Sequence, residues 1–101
     1  MWLFCLFDLP TNTKRQRKRA SDFRKFLIED GFDMMQFSVY KRHCGSAENC
    51  DVHIKRIKQN LPREGTVSIL KFTDKQFSEI ETFIGLIPQE SKKAPVQVEF
   101  F

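Results

Sequence analysis

An acidic residue stands next to a dense group of cations near the start of the chain. Asp8 follows the apolar residues 2–7, and residues 14–25 then contain seven basic side chains and one acid, Asp22. A carboxylate at the end of a strand is a suitable ligand for Mg²⁺, which takes one or two carboxylates and completes its shell with water and substrate phosphates. Water held in this way can attack a phosphodiester in line. The spacing therefore indicates chemistry on a phosphate-bearing substrate.

Asp8 also has a purely structural interpretation, because it could cap the first helix or simply mark the end of the strand. We expect Asp8 to be buried, however, and buried acids are rare unless they are paired or bound to a cation. One carboxylate cannot enclose Mg²⁺ alone. In a two-fold dimer, Asp8 from each copy could face the other and complete the site.

Five cations after Asp8 are candidates for contacts with phosphate groups, which bind nucleic acid without reading its sequence. The candidates are Lys14, Arg15, Arg17, Lys18 and Arg19. The net charge of +4 is mild over the whole chain, but it is concentrated here, which favours phosphate-bearing partners or acidic membranes. Two alternatives remain, because a short charge run is usually a solvated surface and Arg19 could instead stabilise the fold.

Two histidines and two cysteines form a second group that resembles a zinc site. They are His43, Cys44, Cys50 and His53. Their spacing lacks the close cysteine pair of a zinc knuckle, and Cys50 lies on the apolar stripe of a predicted helix, where a thiol packs as a small hydrophobe. The pattern favours core packing but leaves metal binding open, and it does not place His43 near Asp8.

The strand that carries Asp8 is predicted from residues 2–7, which are apolar at every position and therefore covered on both faces. Alternation places Asp8 on the same face as Trp2 and Phe4. Pro10 ends the strand because it has no backbone N–H.

The cationic helix follows directly. Thr13 and Gln16 fit a capping box at its start, and the helix reaches Asp30 before Gly31 supplies a left-handed stop. Next come strand material over 32–43, as one bent strand or two short ones, a helix from Ser46 to Pro62 and a strand over 66–72. Residues 73–85 are ambiguous, and a loop over 88–95 and a terminal strand over 96–100 are predicted after them.

This order predicts one α+β domain over 1–101, a ferredoxin-like βαββαβ sandwich with an antiparallel sheet and extra strand material at the C-terminal end. The chain has eleven Phe, one Trp and one Tyr, which is more than one small core needs. We expect the sheet face that the helices leave uncovered to be buried by a second copy in a homodimer. Scattered exposed Phe residues would be the alternative.

Other classes of protein are disfavoured. The three cysteines, the missing signal-peptide pattern and the lack of a run of about 20 apolar residues predict a cytoplasmic protein without a membrane partner. No glycine-rich phosphate loop or Ser-His-Asp arrangement stands out. Sheets of this fold also bind RNA on exposed aromatics, but residues 67–72 lack the glycine of that signature.

Four motifs resemble those of the CRISPR-associated protein two family, the smaller of the two general spacer-acquisition proteins. They are Phe7-Asp8-Leu9-Pro10, Gly31-Phe32, Gln36-Phe37-Ser38-Val39-Tyr40 and Thr73-Asp74-Lys75-Gln76-Phe77. No single motif is specific, but the ordered set spans nearly the whole chain. It looks most like the variants that accompany type II systems.

The resemblance implies a homodimeric, metal-dependent endonuclease that acts on RNA or DNA and bridges the larger CRISPR integrase subunit during spacer acquisition. Asp8 would be the catalytic acid that binds magnesium, with manganese as a possible substitute. Arg17 and Arg19 match arginines tied to nuclease activity. Tyr40 matches the aromatic that ends its motif, and Ser38 is a further supporting candidate.

The resemblance also implies that the ambiguous segment is a short turn followed by a strand around residues 79–84, and that the terminal strand pairs with the partner's sheet. Met34 stands where some relatives carry an arginine, which bears on hydrolysis rather than on the bridging role. The alternative to an enzyme is a non-catalytic DNA-binding scaffold of the integrase complex. An RNA-binding ferredoxin-like module is a minor alternative.

Overall fold

The structure, a computed structural model, describes residues 1–90. Its main unit consists of β1 (Trp2–Asp8), α1 (Lys14–Glu29), β2 (Asp33–Gln36), β3 (Val39–His43), α2 (Ala47–Gln59) and β4 (Thr66–Phe72). The strands form one sheet in the order β2-β3-β1-β4, and each adjacent pair is antiparallel. This is the ferredoxin-like arrangement, so the predicted fold class is confirmed.

The helices begin and end close to the predicted positions. Thr13 Oγ1 accepts a hydrogen bond from the Gln16 backbone N–H at 3.1 Å, and Gln16 Oε1 accepts one from the Thr13 N–H at 3.0 Å. Gly31 has a φ of 91°, as a left-handed helix stop requires. The α2 helix begins after Ser46 and ends before Pro62. Within residues 1–90, no helix has both the length and the apolar character needed to cross a bilayer.

The two faces of β1 enter separate clusters, as its alternation predicted. Leu3, Cys5 and Phe7 lie on the helix side. There they join a core that also contains Phe23, Leu27, Phe32, Tyr40, Cys44, Cys50 and Ile57. On the other side, Trp2 and Phe4 form a second cluster. The strand is therefore buried on both faces along most of its length.

The second face is not open along its whole length, which corrects the expectation that only another copy would cover it. A short helix, α3 (Asp74–Ser78), places Phe77 on Trp2 with the ring centroids 3.9 Å apart and the planes 9° apart. A capping box between Thr73 and Gln76 turns the chain there. The chain itself thus covers the Trp2 end of this face, because its own aromatic side chain reaches the sheet.

The segment after α3 forms a hairpin of β5 (Thr82–Ile84) and β6 (Ile87–Gln89). The strand expected around 79–84 is shorter than predicted, since Glu79 ends α3. The loop predicted from residue 88 is wrong at its start, because Pro88 pairs with Phe83 in the hairpin. Proline is tolerated there since both strands of a two-stranded sheet are edge strands. The strand predicted over 96–100 lies outside the described residues.

Candidate metal and phosphate site at the end of β1

Asp8 is the last residue of β1 and lies opposite Thr66 of the edge strand β4. Its side chain is exposed in the single chain, so the prediction that it is buried is wrong. The physical reason is that α3 covers the sheet face only at the Trp2 end. The cap of α1 is Thr13, which removes the capping role considered for Asp8. Among residues 1–90, nothing forms a hydrogen bond or ion pair with its carboxylate, which is therefore available to a ligand from solvent.

Asp8 lines a shallow, open groove whose residues carry apolar, hydroxyl and carboxylate side chains. Its lining consists of Leu6, Phe7, Asp8, Phe37, Ser38, Val39, Thr66 and Ser68. The turn between β2 and β3 forms one wall. Ser38 at this turn has a φ of 62°, and its carbonyl oxygen accepts a hydrogen bond from the Phe7 N–H at 3.1 Å. The turn is thereby fixed to β1 one residue before Asp8.

The loop that enters β4 approaches Asp8 so closely that it requires a glycine. Gly65 has a φ of 92°, and a Cβ there would lie 2.6 Å from the Asp8 carbonyl oxygen and 3.0 Å from the Leu9 Cα. Real Cβ atoms do not approach backbone atoms at 2.6 Å. The sequence shows Gly65 only as a residue before a strand, so its role in positioning Asp8 becomes visible only in three dimensions.

The candidate phosphate-binding cations have different surroundings. The guanidinium of Arg17 donates to the carbonyl oxygens of Thr11 and Asn12 at 3.0 and 3.4 Å. It therefore holds the loop that connects Asp8 to α1. Lys18 forms an exposed ion pair with Asp22 at 3.2 Å, four residues further along the helix.

Arg19 lies 3.4 Å from Glu64, and the Gln16 side-chain amide donates to the same carboxylate at 3.4 Å. The alternative that Arg19 stabilises the fold therefore has a structural basis, because this contact ties α1 to the loop that enters β4. Lys14 and Arg15 are exposed and have neither an ion pair nor a side-chain hydrogen bond within residues 1–90. Among the five candidate cations, these two are the most available to a phosphate.

The two supporting candidates lie in different places. Ser38 lines the groove with Asp8. Tyr40 is buried on the helix side of the sheet and stacks on Phe7, with the ring centroids 5.6 Å apart. Phe7 lines the groove, whereas Tyr40 does not. Met34 lies on the edge strand β2 and is about half exposed.

The histidine and cysteine group is not brought together as a zinc site. His43 Nε2 lies 3.2 Å from Asp74, and His53 Nδ1 lies 2.7 Å from Asp30. Cys44 and Cys50 are buried free thiols. Burial, followed by the hydrogen bond with Cys50, raises the pKa of Cys44 to about 12. Residues 1–90 contain no group of three potential metal-ligating side chains, which agrees with core packing.

Within residues 1–90, the Asp8 groove offers one carboxylate to a hard divalent cation and does not form a complete metal site. Asp8 offers an exposed, unpaired carboxylate, and oxygen is the ligand that magnesium and manganese prefer. Ser38, Thr66 and Ser68 line the same groove, and a hydroxyl can form hydrogen bonds with water or phosphate oxygens. One carboxylate leaves most of the coordination shell to water, substrate or a second carboxylate.

Comparisons with known proteins agree on one family. The model of the family described as CRISPR associated protein Cas2 matches residues 1–80. The protein named CRISPR-associated endoribonuclease Cas2 from Flavobacterium psychrophilum is 50% identical over the whole chain and 88% of its own length. The protein of the same name from Parvibaculum lavamentivorans is 48% identical, with full coverage of both chains.

A solved structure supports the fold independently. The crystal structure of Streptococcus pyogenes Cas2 at pH 6.5 resembles this chain with a TM-score of 0.62. The match covers 82% of this chain and 99% of that one at 23% sequence identity. At this identity, the likeness bears on the fold alone.

Proposed function

Because the chain belongs to the CRISPR associated protein Cas2 family, we propose that it is a metal-dependent endonuclease of CRISPR adaptation that hydrolyses phosphodiester bonds of RNA or DNA. Relatives at 45–50% identity carry the name endoribonuclease, which supports the class of reaction. The observation that carries the proposal is the exposed, unpartnered Asp8 carboxylate in a groove lined with hydroxyl groups.

In this proposal, Asp8 binds magnesium, with manganese as a substitute. The ion, when bound, supplies a water of lowered pKa and positive charge near the scissile phosphate. Ser38 and Thr66 line the groove, and their hydroxyls can donate hydrogen bonds to phosphate oxygens. Gly65 and Arg17 keep the backbone around Asp8 in place through the close approach and the carbonyl contacts described above.

The active unit in this proposal is a homodimer in which two Asp8 carboxylates serve one substrate site. The β5–β6 hairpin exposes large apolar side chains to solvent. They are Phe83, Ile84, Leu86 and Ile87. Covering such a patch favours association, and a second carboxylate would add a ligand to a site that has one in the single chain.

The direct test is cleavage of single-stranded RNA and duplex DNA with magnesium. We expect Asp8→Asn to slow cleavage by about 100-fold or more, equivalent to ~2.7 kcal/mol in the barrier, without changing the fold. Asp22→Asn is the matched control, because Asp22 is also an exposed aspartate but pairs with Lys18 on α1. Chelation of divalent ions should abolish activity of the wild type. Equal rates for wild type and Asp8→Asn would refute the proposal.

A second candidate function is a DNA-binding scaffold that bridges the larger integrase subunit. The favouring observation is that Lys14 and Arg15 are exposed and unpaired within residues 1–90. Charge reversal of both should then stop spacer acquisition and make the salt dependence of DNA binding shallower by about 0.9 log unit per lost phosphate contact. Lys75→Glu, at an exposed cation of α3, is the control. Spacer acquisition that survives Asp8→Asn would separate this role from cleavage.

A further inference from the structure

We propose that Phe37 forms a binding subsite for one unpaired nucleobase beside Asp8. The inference deepens the proposed nucleic-acid cleavage and depends on that function. Phe37 is 90% exposed, although most aromatic residues within 1–90 lie in two clusters around β1. It also lines the same groove as Asp8. Exposure of a large aromatic ring next to the candidate reactive carboxylate indicates that the ring contacts a ligand.

The position of Phe37 is fixed by the fold. Phe37 and Ser38 form the two-residue connection between Gln36 and Val39, which pair across the β2–β3 hairpin. Ser38 has a φ of 62°, in the left-handed region that residues other than glycine seldom adopt. The Ser38 carbonyl accepts the Phe7 N–H, which ties the connection to β1. The ring of Phe37 is therefore presented from an anchored turn rather than from a free loop.

The chemistry of the groove favours a nucleotide as the occupant. Asp8, Thr66 and Ser68, which carry a carboxylate and two hydroxyls, line the same groove as Phe37. A purely apolar partner would bury these polar groups without satisfying them. A nucleotide instead offers a flat base to the ring and polar sugar and phosphate groups to the hydroxyls. Stacking of unpaired bases on aromatic side chains is the usual way in which proteins hold single strands.

This subsite makes two demands on the substrate. The base next to Phe37 must be unpaired, because a base within a duplex has no free face for the ring. The base identity should matter little, because a Phe ring makes no hydrogen bond to a base edge and every base has a π-face. The subsite should therefore select single-stranded over paired nucleic acid near the cleaved bond.

The test measures binding rather than cleavage, in the Asp8→Asn background so that the substrate stays intact. The two ligands are a single-stranded RNA oligonucleotide and a fully abasic oligonucleotide with the same number of phosphates. The protein with Phe37 should bind the abasic ligand about 10-fold more weakly, within the range for one stacked base. Phe37→Leu should weaken binding to the intact RNA by a similar factor and should lose this preference for the ligand that carries bases. Phe37→Trp should retain the effect.

Phe37→Leu is the appropriate variant because it preserves an apolar side chain while removing the aromatic face. Equal binding of the two ligands by the protein with Phe37, or the same preference for bases in Phe37→Leu, would overturn the proposal. A change of oligomeric state in Phe37→Leu by light scattering, with unchanged RNA binding, would also overturn it and assign Phe37 to contact with another copy. Cleavage unaffected by Asp8→Asn would remove Asp8 from the proposed chemistry, and the binding test would then be run with divalent ions chelated so that the RNA stays intact.

Discussion

The two ends of strand β1 are covered in different ways, although the strand is apolar along nearly its whole length. At one end, Trp2 stacks on Phe77, and the Met1 ammonium lies 2.6 Å from Asp74. At the other end, Asp8 is exposed and has no partner within residues 1–90, and Phe37 stands in solvent beside it. The difference indicates that the first end stabilises the protein, whereas the second end is left available for binding.

The Trp2 end is best tested by Phe77→Ala, for which we expect the largest effect on stability. Phe77 is buried against Trp2 and Phe4, and its removal leaves a cavity and exposes both rings. The free energy of unfolding should fall by about 3–5 kcal/mol, measured by urea denaturation. The specific rate of cleavage by the folded protein should stay unchanged.

Ile28→Ala is the control for this experiment, because Ile28 is about half exposed on α1, away from the hairpin patch, and its truncation should lower the free energy of unfolding much less. If Phe77→Ala abolished cleavage while the protein remained folded, the separation between the two ends would be wrong.

At the Asp8 end, Gly65→Ala tests whether the close approach of Gly65 positions Asp8. We expect a loss of about 1–3 kcal/mol in stability from the left-handed backbone, and a loss of cleavage because the new Cβ would press on the Asp8 carbonyl. Gly85→Ala is a closely matched control, since Gly85 also has a positive φ of 61° but no atom within 4 Å of the added Cβ. Equal effects of the two variants on cleavage would show that Gly65 does not position Asp8.

The smallest expected effect concerns the ion pair at the Trp2 end. The hydrogen bond from the Met1 ammonium, with a further contribution from His43, lowers the pKa of Asp74 below its ordinary 3.8. A carboxyl whose pKa is lower in the folded state stabilises the protein above the unfolded pKa. This contribution is lost as the pH falls from about 3.8 through the folded value. Because the pair is partly exposed, it should amount to less than about 1 kcal/mol.

Urea denaturation at pH 6 and pH 3 measures this effect. Asp74→Asn should be less stable than the wild type at pH 6, and the difference should shrink at pH 3. A difference of the same size at both values would mean that the charge of Asp74 contributes nothing. Cleavage at neutral pH should be the same for both proteins.

The sequence was sufficient where local signals decide the structure. The capping box at Thr13, the stop at Gly31 and the alternation of β1 all depend on neighbouring residues, and the structure agrees with each of them. Together with the order of elements, they were enough to predict the ferredoxin-like fold.

The sequence was insufficient where distant segments meet. It did not predict that Phe77 covers Trp2, that Glu64 pairs with Arg19 or that Gly65 lies against Asp8. Each contact joins residues more than 40 positions apart, and no local pattern records it. The exposure of Asp8 was mispredicted for the same reason, because burial at a strand end depends on how far α3 extends over the sheet.

In the proposed function, the Asp8 end of β1 binds a divalent cation and the Trp2 end does not. Titration of the isotope-labelled protein with Mn²⁺ distinguishes the two ends, because the paramagnetic ion broadens the amide resonances of nearby residues. We expect selective broadening at Phe7, Ser38 and Thr66, competition by Mg²⁺, and loss of the effect in Asp8→Asn. Broadening centred on Asp74, or broadening near Asp8 that persists in Asp8→Asn, would contradict this expectation.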